Sequence, residues 1–128
     1  MPLKNVIFWC PFISRVGTIG AVVESAKALQ SSKKFECEVM SVFGEFDEYS
    51  NILLKNKIKV IKLTNFSFIK SLPKKGFFWS RLSYLLIILL SVIPLYFYLK
   101  KNQNKILFTY LLTSSPIFIV KFFNFKNR

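Results

Sequence analysis

The residues of this sequence best suited to chemistry are two glycines and their polar neighbours, which follow the first apolar segment. Residues 6–9 read Val-Ile-Phe-Trp, typical of a buried strand, and a segment with helical spacing of apolar residues begins near Gly17 and Gly20. Glycine lets a ligand approach the backbone closely, and the free N–H groups of a first helical turn favour an anion such as phosphate. The predicted substrate-binding residues of this loop are Arg15, Gly17, Thr18 and Gly20.

The spacing of the glycines leaves a second interpretation open. The pattern is Gly-x-x-Gly, which differs from the Gly-x-Gly-x-x-Gly pattern of dinucleotide sites, and the Lys-Ser/Thr pair of a P-loop is absent. Glycines that merely turn the chain between a strand and a helix account for the pattern equally well.

A second candidate group follows the last predicted strand. Thr113, Ser114 and Ser115 precede Pro116, and their hydroxyls would face the glycine loop if both loops lie at one edge of a sheet. We predict that these three side chains line the facing wall of the substrate site. Alternatively, Ser114 or Ser115 is only the N-cap of a helix that has Pro116 in its first turn.

No general base can be assigned from the sequence. The chain has no histidine, which excludes Ser-His and Cys-His pairs and the usual zinc spacings. All acidic residues precede residue 49, and we expect none of them near either loop. We therefore assign no catalytic residue and expect neither a metal site nor a cofactor. Cys10 and Cys37 are expected to be free, buried thiols.

The predicted elements would bring the two loops together. Apolar periodicity predicts strands at residues 6–9, 37–43, 58–63 and 106–110, and helices at residues 19–29, 48–54, 77–99 and 117–123. This alternation predicts an α/β fold, a Rossmann-like parallel sheet with helices on both faces. Ligands of such sheets collect outside the carboxyl ends of the strands, where both candidate loops lie.

Basic residues dominate the second part of the chain. The sequence has 19 Lys and Arg against six Asp and Glu, a net charge of +13, and residues 49–128 hold fourteen cations and no acid. We expect an anionic partner, either a membrane surface with acidic lipids or an anionic substrate carrier. Nucleic acid is disfavoured, because the cations are spread over several elements and no nucleic-acid-binding motif is present.

Residues 82–99 form an uncharged apolar segment that reaches the lower length limit of a membrane span, about 17 residues. Three interpretations stay open: a membrane-surface helix that is partly core, a purely buried core helix, and a transmembrane helix. Basic and aromatic residues flank both ends, which favours the interfacial helix. The predicted membrane-contact residues are Lys74, Lys75, Trp79, Arg81, Lys100 and Lys101.

With these parts placed, the chain resembles the N-terminal half of a family 4 (group 1) glycosyltransferase of the GT-B fold. The resemblance covers residues 6–124 and depends on the Val-Gly-Thr-Ile-Gly loop at residues 16–20 and the Leu-Leu-Thr-Ser-Ser-Pro segment at residues 111–116. That family often has Asp before the fourth strand and His just after it. Here those positions hold Asn104 or Lys105, and Tyr110.

The resemblance implies that residues 1–128 are the acceptor-binding half of a membrane-associated glycosyltransferase. Such an enzyme transfers a sugar from a nucleotide-sugar donor to a surface-polysaccharide or lipid-linked acceptor. The donor-binding half is not in this sequence, so we expect no activity without a missing or separate C-terminal domain. The expected location is the cytoplasmic face of the inner membrane, held peripherally by anionic lipid. The alternative is a small, basic, single-span membrane protein of interaction type.

Overall fold

The computed structural model is a four-stranded parallel sheet with helices on both faces. It describes residues 3–12, 17–66, 71–72, 76–110 and 115–127. The strands are β1 (Lys4–Trp9), β2 (Phe35–Ser41), β3 (Lys59–Lys62) and β4 (Ile106–Phe108). The helices are α1 (Gly17–Ser31), α2 (Ser50–Lys55), α3 (Phe77–Lys101) and α4 (Ser115–Phe122), with one 3-10 turn, Asp47–Tyr49, before α2. The predicted alternation is confirmed, and the fold is Rossmann-like α/β.

The strand order places β1 at the centre of the sheet. The order is β3-β2-β1-β4, with Lys4 opposite Phe35 on one side of β1 and Val6 opposite Ile106 on the other. The chain therefore moves outward from β1 to β3 and then returns to the far side of β1. This reversal is the topological switch point, the place where open α/β sheets bind their ligands.

Alternating side chains of the central strands build two separate cores. Val6, Phe8 and Val39 face α1 and α2, whereas Ile7, Trp9 and Met40 face α3 and α4; all six side chains are buried. A parallel sheet covered on both faces needs apolar residues at successive positions, and β1 has them from Val6 to Trp9. The two cores on opposite faces of the sheet therefore follow from the uninterrupted apolar run in β1.

Helix α3 covers its face of the sheet with a single line of side chains. Its buried residues recur every fourth position, and they are Ser83, Ile87, Ser91, Leu95 and Leu99. Positions two residues away lie on the opposite side of the helix, and these are exposed although they are also apolar: Leu85, Leu89, Ile93 and Phe97. Only 28% of the most apolar 18-residue window of α3 is buried. The interpretation of α3 as a purely buried core helix is therefore wrong.

The ends of most elements differ from the sequence prediction by one or two residues, and three of these differences bear on the site. β2 ends at Ser41 rather than residue 43, because the N–H of Phe43 donates to Glu45 and the chain then turns at Gly44, whose φ is 86°. β4 ends at Phe108, two residues early. α4 begins at Ser115, whose Oγ bonds to none of the described residues, so Ser115 is not a side-chain N-cap. Ser114 lies outside the described residues.

Two alanine substitutions in α3 test whether one line of side chains holds this helix to the sheet. Leu95 is fully buried, so we expect Leu95→Ala to lower the free energy of unfolding by about 2–5 kcal/mol through the cavity it leaves. Ile93 is 67% exposed, and Ile93→Ala should stay within about 0.5 kcal/mol. Urea unfolding of both variants in buffer without detergent makes the comparison. Equal losses would contradict this orientation of α3.

Candidate functional site

The carboxyl edge of β1 and β4 is the part of the fold from which the two helices that carry the described site residues begin. β1 and β4 are parallel neighbours, and Gly17 begins the helix that follows β1 while Ser115 begins the helix that follows β4. Both helices thus start at this edge of the sheet. The predicted site residues Arg15, Thr113 and Ser114 lie outside the described residues.

The glycines of the first loop are part of α1. Gly17 is its first residue and Gly20 its fourth, and neither has a positive φ. The two glycines therefore lie within the start of the helix rather than in a turn before it. A Cβ atom at Gly17 would meet no heavy atom of the described residues within 4 Å, and one at Gly20 would meet only the Tyr49 hydroxyl, at 4.0 Å. Among the described residues, nothing fills the space beside Gly17 in the first turn, where Thr18 is half-buried.

Tyr110 connects the exit of β4 to α1. Its hydroxyl is hydrogen-bonded to Ser25 Oγ and donates to the carbonyl of Ala21 at 3.1 Å. Its ring packs edge-on against Phe108, with 5.7 Å between centroids. Tyr110 stands where the resembled family often has a histidine, and here it holds the two walls of the site together.

A carboxylate lies at this edge, contrary to the sequence-based expectation. Glu45 follows β2, and one of its oxygens accepts hydrogen bonds from Ser41 Oγ at 3.1 Å and from the N–H of Phe43 at 3.0 Å. Glu45 is 2% exposed, and burial raises the pKa of its carboxyl. Burial, together with the charge of Glu45, raises the pKa of the Cys10 thiol to about 12. Glu45 therefore lies close to the end of β1.

The sequence held a signal for Glu45 that strand prediction missed. β2, the strand adjacent to β1, ends at Ser41, three residues before Gly44, so the side chain that follows this glycine belongs to the same edge of a parallel sheet. A glycine with φ of 86° reverses the chain there and folds Glu45 back onto Ser41. The prediction missed this turn at Gly44 because it continued the strand through residue 43.

Unpartnered polar atoms collect at the carboxyl edge. Glu45 Oε1, Trp9 Nε1 and Ser115 Oγ are buried and have no hydrogen-bond partner among the described residues. Two more such atoms, on Asn5 and Asn127, lie toward the opposite edge. Buried polar atoms in folded proteins nearly always have a partner, from protein, water or ligand. The three at the carboxyl edge leave acceptor and donor capacity next to the start of α4 and the end of β1.

The first turns of α3 extend past this edge. Phe12, three residues beyond β1, stacks on Tyr84 of α3 with 5.1 Å between ring centroids. Because α3 runs antiparallel to the strands, the residues before Tyr84 lie farther out. Phe77, Phe78 and Trp79 are 74%, 75% and 56% exposed. An aromatic end of α3 therefore stands beside the candidate site.

An apolar surface runs from this end along the outer side of α3 and onto α4. We call it the outer apolar surface; its most exposed members on α3 are Phe77, Phe78, Leu89, Ile93 and Phe97, and on α4 Phe118 and Phe122. The sequence prediction did not include α4, although Phe118 and Phe122 are four residues apart on one helix face. Phe123, 46% exposed, packs on Tyr96 and joins the two helices.

Cations stand at both ends of the outer apolar surface. Arg81 lies over the Phe77 ring at 3.9 Å, and Lys100 lies over the Tyr96 ring at 5.7 Å. The predicted contact residues Trp79, Arg81, Lys100 and Lys101 are all exposed. Lys74 and Lys75 lie outside the described residues.

The remaining polar cluster lies at the opposite edge of the sheet. Lys105, just before β4, forms an ion pair with Glu38 of β2, and the Tyr98 hydroxyl donates to the same carboxylate at 3.0 Å. Burial, followed by the charge of Glu38, raises the pKa of Tyr98. These side chains join α3, β2 and β4 and contribute nothing to the candidate site.

Cys10 and Cys37 are free and buried, as predicted, and burial raises the pKa of Cys37 to about 11. The described part of the chain has no group of three His, Cys, Asp or Glu side chains suited to a metal ion.

Comparison of the chain with protein-family models, with curated proteins and with solved structures finds no match in any of the three.

Glu45→Gln tests the cost of the buried carboxyl at this edge. Burial raises the pKa of Glu45 in the folded chain, so keeping this carboxylate ionised lowers the free energy of unfolding at pH values above that raised pKa. This loss of stability disappears at low pH, where the carboxyl is protonated in both the folded and the unfolded state. We expect Glu45→Gln to raise the free energy of unfolding near pH 7, because the amide oxygen still accepts from Phe43. The gain should shrink as the pH falls toward about 4.3, the ordinary value for Glu.

Urea unfolding between roughly pH 4.3 and pH 7 measures this dependence, with the exposed Glu36→Gln as the matched control. A gain that stays constant with pH, or one that Glu36→Gln reproduces, would show that burial of Glu45 carries no such cost.

Proposed function

We propose that this chain is the acceptor-binding half of a membrane-associated glycosyltransferase. It binds a surface-polysaccharide or lipid-linked acceptor, and a donor-binding domain from elsewhere supplies the nucleotide sugar, so this domain alone transfers nothing. The observation that carries the proposal is the adjacency of the switch-point edge and the outer apolar surface, joined where Phe12 stacks on Tyr84. A polar ligand at that edge with an apolar tail would contact both.

The site residues fit the polar part of such an acceptor. The free N–H groups of the first turn, at Gly17 and Thr18, would hold its phosphate, because a helix N-terminus favours an anion, and Gly20 leaves room for close approach. Ser115 offers, on the facing side, a hydroxyl that has no partner among the described residues. Arg15, Thr113 and Ser114 belong to the same two loops and complete the proposed set.

The size of the outer apolar surface supports membrane attachment. Burying a large apolar side chain is worth about 1.5–3 kcal/mol, so covering the exposed aromatic and aliphatic residues of α3 is worth on the order of 10 kcal/mol. That is comparable to the net stability of a whole domain, about 5–15 kcal/mol. Cations at both ends of α3 match the anionic headgroups of the inner leaflet, and we place the domain on the cytoplasmic face of the inner membrane.

A single-span membrane protein of interaction type is the second candidate. The observation in its favour is the length of α3, 25 residues, long and apolar enough to cross a bilayer. Against it, Ile87, Leu95 and Leu99 of α3 cover one face of the sheet, and moving α3 into a bilayer would expose that face, including Trp9. Carbonate extraction separates the two, because a span resists it and a surface helix is released.

Vesicle flotation tests the peripheral attachment. Each cation near an anionic surface contributes about 1 kcal/mol, so the double change Lys100→Gln and Lys101→Gln should weaken binding to vesicles with acidic lipid roughly 30-fold at low salt. The matched control is Lys33→Gln with Lys34→Gln, which removes the same charge from exposed positions after α1, on the other side of the sheet. Equal weakening by both pairs, or equal binding of neutral vesicles, would argue against attachment through α3.

A lipid-phosphate probe tests the acceptor site. We expect the chain to bind vesicles that contain a polyprenyl phosphate about tenfold better than vesicles of equal charge made with phosphatidylglycerol, since a terminal phosphomonoester offers one more unesterified oxygen than the phosphodiester of phosphatidylglycerol for charge-assisted hydrogen bonds at α1. Gly20→Val should abolish this preference, because its branched side chain blocks the approach, and should leave general vesicle binding intact.

Ala28→Val is the matched control, because it puts the same side chain at an exposed position near the other end of α1. If Gly20→Val keeps the preference while circular dichroism shows a folded protein, this loop does not hold the phosphate.

A further inference from the structure

The two edge strands of the sheet differ in their protection. β3 forms one edge and has the exposed lysines Lys59 and Lys62 at its ends, and Lys62 Nζ lies 3.6 Å from Asp47. Charged residues of this kind keep an edge strand from pairing with other chains. β3 therefore has the features of an edge that stays free.

β4 forms the other edge and lacks such protection. Its residues are Ile106, Leu107 and Phe108, with no charge among them, and Phe108 is 38% exposed. The nearest cation, Lys105, is turned inward to its ion pair with Glu38. Within the described residues β4 pairs on one side only, with β1. An apolar edge strand with one free side is a surface suited to pairing with another strand.

A groove beside β4 provides space for side chains of an added strand. Its volume is about 540 Å³, and it lies between β4 and α4, lined by Leu107, Ile117 and Val120 with Lys121 and Asn127 at its border. The Asn127 amide donates to the carbonyls of Asn102 at 2.8 Å and Lys105 at 3.3 Å, which fixes it near the start of β4. Its Oδ1 has no partner among the described residues and is left as an acceptor.

We propose that the β4 edge accepts a β-strand from an acidic partner polypeptide, which extends the sheet and places an apolar side chain in the groove. Charge selects the partner. The chain has a net charge of +13 and no acid after residue 48, and Lys121 borders the groove, so a second copy would bring like charges together. An acidic partner offsets them. This interface is separate from the carboxyl-edge site and does not depend on the proposed transferase function.

A pair of synthetic peptides tests strand addition on the full chain in zwitterionic micelles. The probe is an alternating Val-Ile segment flanked by Asp and Glu, and its control is the same peptide with alternate backbone nitrogens methylated. The control keeps the charge and the side chains but loses strand hydrogen bonds. We expect fluorescence anisotropy to show about tenfold weaker binding of the methylated peptide. Hydrogen exchange should show protection at Ile106–Phe108 and none at β3.

Two lysine substitutions locate the groove. Ile117→Lys places a charge where the apolar side chain would enter, so peptide binding should fall about tenfold. Leu54→Lys makes the same charge change in α2, at a residue that is 67% exposed and belongs neither to the groove nor to the outer apolar surface, and should leave binding unchanged. Thermal unfolding checks that both variants fold.

The two peptides are compared on the unchanged protein, so this result does not depend on whether a variant folds. No binding of the probe, equal binding of the methylated peptide, or protection at β3 would overturn the proposal. Self-association of the chain through β4, detected by sedimentation, would overturn the choice of an acidic partner in favour of a second copy.

Discussion

The contact line between α3 and the sheet determines the rest of this molecule. Ile87, Leu95 and Leu99 cover one face of the sheet, and without them Ile7, Trp9 and Met40 would be open to solvent. A straight helix can bury only one stripe against a sheet. Because α3 is apolar around its whole circumference, the same packing that completes the core leaves Leu89 and Ile93 exposed. The outer apolar surface is therefore a direct result of how the core is built.

The uneven placement of acids organises the polar chemistry in the same way. All acids precede residue 49, so a buried cation of the later chain must find its partner in β2 or nearby. Glu38 serves this role for Lys105 at the amino edge of the sheet. Glu45, seven residues on, is at the carboxyl edge with no cation opposite it in the described residues, and its carboxyl is held by neutral donors. Strand β2 thus supplies an ion pair at one edge of the sheet, and the turn that follows it brings a buried acid to the other.

Much of the fold could be predicted from local patterns, because strands and helices differ in the period of their apolar residues. The run at Val6–Trp9 and the helical spacing after Gly17 led to the right elements and the right sheet type. A predicted strand end was wrong where a single hydrogen bond determines it: the Phe43 N–H donates to Glu45 rather than to a neighbouring strand. The strand prediction missed the position of Glu45 at the site for the same reason. The burial of α3 could not be read from its sequence either, since every face of that helix is apolar.

The exposed stripe of α3 makes the stability of this domain depend on its surroundings. An amphiphile that covers Leu85, Leu89, Ile93 and Phe97 in the folded state raises the free energy of unfolding. By mass action, this gain grows with the logarithm of the amphiphile concentration. The unfolded chain has no ordered stripe to offer and gains less. A midpoint of unfolding for this protein is then a joint property of the chain and the amphiphile around it. The amount of folded protein in a cell is tied in turn to the area of surface that can cover α3.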